Sequence, residues 1–266
     1  MENALPTIAA SDYLNSAVLM HDFLSGAQRA RCQLITDAAP SRCAALLRQG
    51  EVAAALIPAI EYQRIPGLCL VEGVAIGSKR AVRSVVLALK KPLKEVQTVA
   101  LDTSSRSSAS LAQILFAEFY QQAATFHPAE PDARRMLAEH DAAVIIGDPA
   151  LTFDRRGLEV LDLAAEWRRF TDLPFVFAVW AVRAEARERV QSLDFVAARD
   201  AGLRARPDLA AQYAPALGLP EDDLADYLMK NIHYGLDAED IAGLTRYWAL
   251  AAKRGLIPEA RPIRWL

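Results

Sequence analysis

Short apolar runs alternate with longer amphipathic segments along the first part of the chain. The short runs are rich in small or β-branched residues, which is typical of buried strands, whereas the longer segments repeat apolar residues at the helical interval. Strands are predicted at 6–10, 32–36 and 52–58, and helices at 14–26 and 40–50. Such an alternation indicates an α/β fold with a largely parallel sheet.

A second alternation begins after the Lys-Lys-Pro segment at 90–92. Two strands joined by a turn are predicted over 68–90, before this segment. After it, we predict a strand at 97–102, a helix at 108–122, a short helix near 132–140 and a strand at 142–148. The run 174–183 is the most strand-like in the chain and is predicted to return it to the first unit. The pattern after this run is helical.

The two alternations predict two α/β lobes joined by two crossings, with a ligand cleft between them. Residues 1–91 and 175–266 are assigned to lobe 1, and residues 92–174 to lobe 2. In sheets of this kind, ligands bind beyond the carboxyl ends of the strands. The turn after Asp102 and the segment 145–151 lie at such ends.

The turn after Asp102 is the most polar of these strand ends. It contains Thr103, Ser104, Ser105, Arg106, Ser107 and Ser108. The first turn of the following helix leaves N–H groups unpaired and has a partial positive charge, so it favours an anion. A carboxylate ligand is one interpretation. The simpler alternative is that Asp102 or Ser107 only caps the helix.

Other polar residues are also candidate site residues, although the sequence patterns around them are weaker. Asn15, with Ser16 beside it, follows the first predicted strand, where a turn would favour asparagine without any function. Ser84 lies inside an apolar strand, where an isolated hydroxyl either bonds the backbone or faces a cleft. Gly147 and Asp148 belong to a turn signal that needs no function to explain it.

Composition narrows the class of protein. The chain has 266 residues, of which 53% are hydrophobic and 24% are charged. Its net charge is -3, so it has no overall positive charge that would favour nucleic-acid binding. Cys32, Cys43 and Cys69 stand in apolar surroundings, and we expect them to be reduced in a cytoplasmic protein. The opening segment has no basic start and no long apolar run, and no later run is long enough for a membrane span.

Familiar catalytic and cofactor motifs are absent from the sequence. It contains no GxSxG, no Walker loop, no GxGxxG after a strand and no HExxH. The four histidines, His21, His127, His140 and His233, lie far apart without the spacing of metal ligands. We therefore expect no metal and no dinucleotide.

Several segments together resemble the menaquinone-biosynthesis family of the futalosine pathway, and within it the chorismate dehydratases. They follow the order of the family over residues 13–257. The segments are YLNSA, GEVAAALIPAIEYQRI, VRSVVL, VALDTSSRSS, DAAVIIGDPAL, DLAAEWRRFTDLPFVFAVWAVR and YLMKNIHYGLDAEDIAGLTRYWALAAKRGLI. One departure is Asp172, which stands before LPFVFA where the family often has glycine.

The resemblance implies the two-lobed fold of type II periplasmic binding proteins and a hydro-lyase activity without a cofactor. The implied reaction converts chorismate, a small dicarboxylate, to 3-[(1-carboxyvinyl)oxy]benzoate and water. Asn15 and Ser84 correspond to polar groups of the family's cleft and are expected to be catalytic. Substrate contacts are expected from Ser16, Thr103, Ser105, Arg106, Ser107, Ser108, Gly147 and Asp148. Monomer and homodimer both remain open.

The reaction requires a base for a weakly acidic ring proton and assistance to the departing hydroxide. Asp102 and Asp148 are the only carboxylates in the candidate motifs, and both have structural interpretations. Our hypothesis is that a carboxylate of the substrate takes the proton while Asn15 and Ser84 orient it.

Two alternatives remain from the sequence. The sister activity, 1,4-dihydroxy-6-naphthoate synthase, would lead us to expect a histidine at the cleft. A non-catalytic carboxylate-binding protein would be expected to have an export signal or an output domain.

Overall fold

The computed structural model describes residues 5–266, which contain ten strands in two sheets. The strands are β1 Thr7–Ser11, β2 Gln33–Asp37, β3 Ala54–Pro58, β4 Leu68–Ser78, β5 Val85–Leu89, β6 Thr98–Asp102, β7 Thr125–Ala129, β8 Ala142–Ile146, β9 Glu159–Asp162 and β10 Phe175–Arg183. The first sheet has the order β2-β1-β3-β10-β4, and the second has the order β7-β6-β8-β5-β9. Each sheet is the centre of one lobe, which confirms the predicted two-lobed α/β fold.

Helices cover both sheets and the C-terminal part of the chain. They are α1 Leu14–Ser25, α2 Pro40–Gln49, α3 Glu61–Arg64, α4 Arg106–Ile114, α5 Ala133–Glu139, α6 Gly147–Thr152, α7 Leu163–Thr171, α8 Arg187–Val190, α9 Phe195–Arg204, α10 Arg206–Leu217, α11 Glu221–Asp226 and α12 Ala238–Lys253. Two π-helical segments, Leu115–Tyr120 and Tyr227–Asn231, continue α4 and α11. Within the described range, no helix is both long enough and apolar enough to cross a membrane.

The first sheet follows the predicted alternation of strands and helices, but both sheets are mixed and not largely parallel as predicted. Strand β1 pairs in parallel with β2 and β3, so their carboxyl ends meet at one edge. The predicted return strand β10 lies antiparallel between β3 and β4 in this sheet. Helix α2 ends at Gly50, whose φ of 79° favours glycine.

Strand β5 does not belong to the first lobe, and the predicted boundary at residue 91 requires correction. It pairs with β8 and β9 in the second sheet, so the chain crosses between the lobes at residues 79–84. Every residue of β5 is buried. A strand buried on both faces has no polar alternation, so its sequence does not reveal which sheet it joins. The Lys-Lys-Pro segment marks the end of a strand rather than a crossing.

Two further elements differ from the sequence prediction. Strand β7 is an edge strand that is only partly buried and contains Pro128, so it lacks the apolar signal of a central strand. The helix predicted at 108–122 begins earlier, at Arg106, and its last part is π-helical. Asp172 adopts a left-handed φ of 57° at the end of α7, a conformation that glycine adopts without strain.

One hydrophobic core extends through both lobes, and a smaller one lies on the other face of the second sheet. Within β5, Val85, Leu87 and Leu89 join the main core, while Val86 and Ala88 join the smaller one. Cys32, Cys43 and Cys69 are buried and unpaired with one another, as expected for reduced core residues. The main core therefore supports the cleft wall from both sides.

Candidate active site

A cavity lies between the lobes at the carboxyl ends of β1, β3 and β8. It contains about 550 Å³ of space between protein atoms, part of it open to solvent. Its polar lining residues are Ser11, Tyr13, Asn15, Ser16, Ser105, Ser107 and Ser108, and the others are Pro40, Leu56, Pro58, Ile76, Val82, Val85, Ile146, Gly147, Phe177 and Ala178.

The cavity lining formed by residues 5–266 has no formal charge at neutral pH. Among the described residues that line it there is no aspartate, glutamate, lysine, arginine or histidine, and Asn15 is the only amide. Burial raises the pKa of the Tyr13 phenol to about 12, so this side chain is neutral as well. The polar side chains of the wall can therefore donate or accept hydrogen bonds without contributing a formal charge.

Three helices of nine or more residues begin at this cavity. Asn15 and Ser16 lie in the first turn of α1, Pro40 is the first residue of α2, and Ser105 immediately precedes α4. No side chain of the N-cap residue caps any of these helices. The first-turn N–H groups of α2 are not free, since Pro40 has none and the Ser41 N–H donates to the Ser104 carbonyl. The N-terminus of α4 has no side-chain cap and has a partial positive charge, so the neutral wall still favours an anion there.

The first-lobe wall is held together by short hydrogen bonds. Ser16 Oγ lies 2.9 Å from Ser11 Oγ and also donates to Asn15 Oδ1 at 3.2 Å. These contacts tie the Asn15 side chain to the end of β1. The structure thus places Asn15 and Ser16 on the cleft wall.

Ser84 lies behind the wall. Its side chain is fully buried, and its hydroxyl accepts a hydrogen bond from the Tyr227 hydroxyl at 2.7 Å. Its neighbours Val82 and Val85 line the cavity, but Ser84 does not. Tyr227 is a residue that the sequence analysis missed, because nothing in its local pattern distinguishes it from a core tyrosine.

The second-lobe turn presents part of its hydroxyl cluster to the cleft. Ser105, Ser107 and Ser108 line the cavity. Ser107 also joins the lobes, because its Oγ accepts from the Ile60 N–H at 3.3 Å and its carbonyl accepts from the Tyr247 hydroxyl at 3.0 Å.

Thr103 and Arg106 do not line this cavity, and the expected set of substrate contacts is corrected accordingly. Thr103 is exposed and lines a separate surface depression beside Glu130. Arg106 lies with a guanidinium nitrogen 3.7 Å from Glu61 Oε1 and is partly exposed. Successive residues at a helix start point in different directions, so one polar turn serves several surfaces.

Asp102 stabilises the turn itself. Its carboxylate accepts from the Ser104 N–H at 2.8 Å and from the Ser104 hydroxyl at 2.5 Å. Burial raises the pKa of Asp102, and the two bonds from Ser104 oppose that shift. The predicted helix cap is therefore wrong for Asp102, because its carboxylate stabilises the turn before α4 and the N-cap residue is Ser105.

Asp148 connects the two lobes. Its two carboxylate oxygens accept from the Leu14 N–H at 3.1 and 3.2 Å, so it caps α1 from the opposite lobe. Burial raises its pKa to about 6, although the bond from Leu14 favours the ionised form. Asp148 is outside the cavity lining, so its contact stabilises the closed arrangement of the lobes.

Gly147 allows the same closed arrangement. Its φ is 64°, and a Cβ at this position would lie 2.7 Å from the Tyr13 ring. Glycine is therefore required both by the backbone conformation and by the close approach of Tyr13. Tyr13 was not predicted as a cleft residue, although an aromatic in the turn after a first strand is the signal that could have indicated it.

One histidine lies in a group that could ligate a metal. His233, Asp237 and Asp240 bring ligand atoms within 4.8 Å of one another. The Lys79 ammonium already lies 2.9 Å from both aspartates, so the group has an internal cation. The three residues lie within eight positions of one another, and the group was missed because only the spacing between histidines was considered.

A family model described as menaquinone biosynthesis matches residues 6–253. A chorismate dehydratase of Thermus thermophilus is 31% identical over 256 residues, which cover 88% of this chain and 91% of the relative.

Solved structures show the same architecture at lower identity. A structural-genomics protein of Archaeoglobus fulgidus is similar with a TM-score of 0.69 and 18% identity, covering 97% of this chain and 100% of that chain. The periplasmic aliphatic sulphonate-binding protein of Escherichia coli has a TM-score of 0.65 and 18% identity, covering 98% and 94%. These likenesses establish a periplasmic-binding-protein-like fold. With the family match over nearly its whole length, the chain belongs to the menaquinone biosynthesis family.

Proposed function

We propose that this protein is a chorismate dehydratase, a hydro-lyase that converts chorismate to 3-[(1-carboxyvinyl)oxy]benzoate and water. The similarity to the Thermus thermophilus chorismate dehydratase supports the choice of reaction. The observation that carries the proposal is the neutral cleft with the uncapped N-terminus of α4 at its wall. Such a site suits a dicarboxylate that supplies its own charged groups.

The reaction does not require charged groups from the protein. A base removes the hydrogen from the ring carbon that bears the enol ether, the C–H electrons form a new ring double bond, and the bond between the adjacent ring carbon and its hydroxyl breaks. The departing hydroxide takes the proton back from the base and leaves as water, so the base is regenerated. The product ring is aromatic, so the driving force lies in the substrate, and the protein has to hold the reacting groups in the correct geometry.

A carboxylate of the substrate is the base in this proposal. Asp102 and Asp148, the carboxylates of the candidate motifs, are each bonded to backbone N–H groups and lie outside the lining. Asn15 is the lining amide that can hold the substrate carboxylate against the ring hydrogen by hydrogen bonding. The α4 N-terminus and the hydroxyls of Ser105 and Ser108 can bind the second carboxylate.

The apolar part of the wall complements the ring. Leu56, Ile76, Val85 and Phe177 supply non-polar side chains to the cavity lining. Such a surface accommodates a ring that becomes aromatic and excludes water from the reacting groups. Exclusion of water strengthens the hydrogen bonds that hold the charged substrate.

The test is to incubate the purified protein with chorismate and no added cofactor. We expect loss of chorismate and formation of an aromatic species lighter by one water, detected by chromatography and mass spectrometry. Chorismate that binds but persists would reject the dehydratase and favour a carboxylate-binding protein. Among the described residues that line the cleft there is no histidine, so the site offers no support for the sister naphthoate synthase.

The proposal includes a cytoplasmic location and no cofactor. Three buried, unpaired cysteines are consistent with a reducing compartment. Activity of the protein after exhaustive dialysis against a chelator would support the cofactor-free mechanism, and restoration of activity only by an added metal would reject it.

A further inference from the structure

Two consecutive residues of the last helix, α12, bond a segment of each lobe. Tyr247 donates from its hydroxyl to the Ser107 carbonyl of the second lobe at 3.0 Å. Trp248 donates from Nε1 to the Ala59 carbonyl of the first lobe at 3.2 Å. The Ile60 N–H donates to Ser107 Oγ at 3.3 Å, which joins the two segments directly. These five residues, linked by three hydrogen bonds, are called the α12 clamp below.

The α12 clamp includes a residue of the cavity wall. Ser107 lines the cavity, and Ser105 and Ser108, which lie beside it at the start of α4, line it as well. Pro58, at the end of β3 and next to the clamp, belongs to the same wall. Tyr247 itself is not a lining residue. Any effect of its hydroxyl on a ligand therefore passes through the first turn of α4.

Tyr247 is held firmly and is a constant hydrogen-bond donor. Its side chain is fully buried, and its ring packs edge-to-face against Phe175 and Trp167, with centroid distances of 4.9 and 6.3 Å. Burial raises the pKa of the phenol, so the hydroxyl keeps the proton that it donates to Ser107. A ring packed in this way has little freedom to follow a movement of α4. Its bond therefore restrains the position of α4.

We propose that Tyr247 is a positioning residue that sets the distance between the two carboxylate-binding walls of the cleft by holding the first turn of α4 against the first lobe. The inference rests on the proposed function, in which Asn15 and the α4 N-terminus bind the two carboxylates of one substrate. A small ligand can bond both walls at once only when their separation matches its own. A shift of α4 would lengthen the bonds to one carboxylate and leave the Asn15 side in place, so it should weaken binding more than it slows the reaction.

The test compares Tyr247→Phe with Tyr234→Phe in steady-state dehydration of chorismate. Phenylalanine fills the same space as Tyr247, and the Ser107 carbonyl keeps the N–H partner that its place in α4 supplies. Tyr234 is a matched control, because it is buried as well and its hydroxyl has no hydrogen-bond partner among the described residues. We expect Tyr247→Phe to raise KM by about 5- to 20-fold and to change kcat by less than about threefold. Tyr234→Phe should leave both parameters unchanged.

The division between KM and kcat separates positioning from general damage. A smaller folded fraction would lower the apparent kcat and leave KM as it is, so a loss confined to kcat would overturn the inference. An unchanged KM in Tyr247→Phe, or equal changes in both tyrosine variants, would overturn it as well. If Tyr247→Phe does not fold, Trp248→Phe, which removes the bond to Ala59, takes its place, and an unchanged KM there would have the same meaning.

The double variant Ser108→Ala/Tyr247→Phe tests whether the effect passes through α4. If Tyr247 acts by positioning this turn, its loss should matter less once the Ser108 hydroxyl is absent. The KM of the double variant should then be at least about threefold below the value obtained by multiplying the two single increases. Increases that multiply fully would show that the two residues act independently, and would overturn the inference.

The wild-type protein is measured first, both for turnover of chorismate and for its dissociation constant by calorimetry. A wild-type protein that binds chorismate without converting it overturns the proposed function alone, and dissociation constants then replace KM in the same comparisons. A wild-type protein that neither binds nor converts chorismate overturns the proposed function and this inference together. Conversion by the wild type, with an unchanged KM in Tyr247→Phe, overturns only the positioning role.

Discussion

The two lobes approach the cleft with the same local structure, a strand followed by a helix N-terminus, but the two N-termini are in different states. In the first lobe, the N–H of Leu14 at the start of α1 is bonded to the Asp148 carboxylate of the second lobe. In the second lobe, no side chain of the N-cap residue caps α4. A carboxylate of the protein thus occupies one N-terminus, while the other is available to a carboxylate of the ligand.

This difference shows that a polar strand-to-helix turn is not by itself a free anion site. The carboxylate that caps α1 comes from 134 residues away in the sequence. Its bond joins the two lobes, and the side chains of the same turn, Tyr13 and Asn15, are left to line the cavity. In the second-lobe turn, Asp102 bonds within the turn instead, and Ser105, Ser107 and Ser108 line the cavity.

Loss of the only amide on the cleft wall should have the largest effect. We expect Asn15→Ala to lower kcat/KM for chorismate by at least about 100-fold, because the substrate carboxylate loses the group that orients it. His21→Ala, in the same helix but outside the cavity lining, is the control and should retain wild-type kinetics. Full activity of Asn15→Ala would remove the first-lobe turn from the mechanism.

The capping carboxylate should make stability depend on pH. Burial raises the pKa of Asp148 from 3.8 to about 6 in the folded protein. The folded protein therefore binds this proton more tightly than the unfolded chain, so the stabilising contribution is complete below about pH 4 and is lost as the pH rises through about 6.

Asp148→Asn removes this titration and keeps an oxygen that can accept from Leu14. Relative to wild type, its free energy of unfolding should increase by roughly 1–3 kcal/mol between pH 4 and pH 7, measured by urea denaturation. Asp154→Asn, at an exposed carboxyl of the same lobe whose pKa is lowered to about 2, is a control that should not show a gain over this range. A difference between Asp148→Asn and wild type that is constant with pH would contradict the buried cap.

The close approach of the lobes at Gly147 can be tested by alanine substitution. Gly147 and Gly157 both have positive φ, but a Cβ at 147 would meet the Tyr13 ring at 2.7 Å, whereas a Cβ at 157 would meet nothing within 4 Å. Each alanine variant should lose about 1–2 kcal/mol of stability because of its backbone conformation. Only Gly147→Ala should also raise the KM for chorismate, by about 3- to 10-fold. Equal KM values in the two variants would show that the Tyr13 contact is not needed for binding.

The smallest expected effect concerns single hydroxyls of the second-lobe turn. Ser108 lines the cavity, and Thr103 in the same turn is exposed on another surface. Ser108→Ala should raise the KM by about fivefold, equivalent to about 1 kcal/mol for one hydrogen bond, with little change in kcat. Thr103→Ala should be unchanged, and a larger effect at Thr103 than at Ser108 would reverse the assignment of the turn.

Local sequence patterns were sufficient to predict much of the fold and part of the candidate site. Strands and helices of the first lobe were predicted because their periodicities are local, and Asn15 and the serine turn were identified because they follow strand ends. Tyr227 and Ser84 are 143 residues apart, and no periodicity connects them. Arg106 and Ser105 are adjacent in sequence, but they point to different surfaces because α4 begins between them.

The sequence by itself determined the two-lobed α/β architecture, the family and the polar residues at the strand ends, because these depend on local periodicity and on segments in a fixed order. Only the tertiary structure decided that β5 joins the second sheet, that Asp148 caps α1, and that the Tyr227 hydroxyl bonds Ser84. The physical reason is that burial and hydrogen bonding between distant segments are set by packing of the whole chain. A local pattern shows that a side chain needs a partner, but it does not show which partner packing will supply.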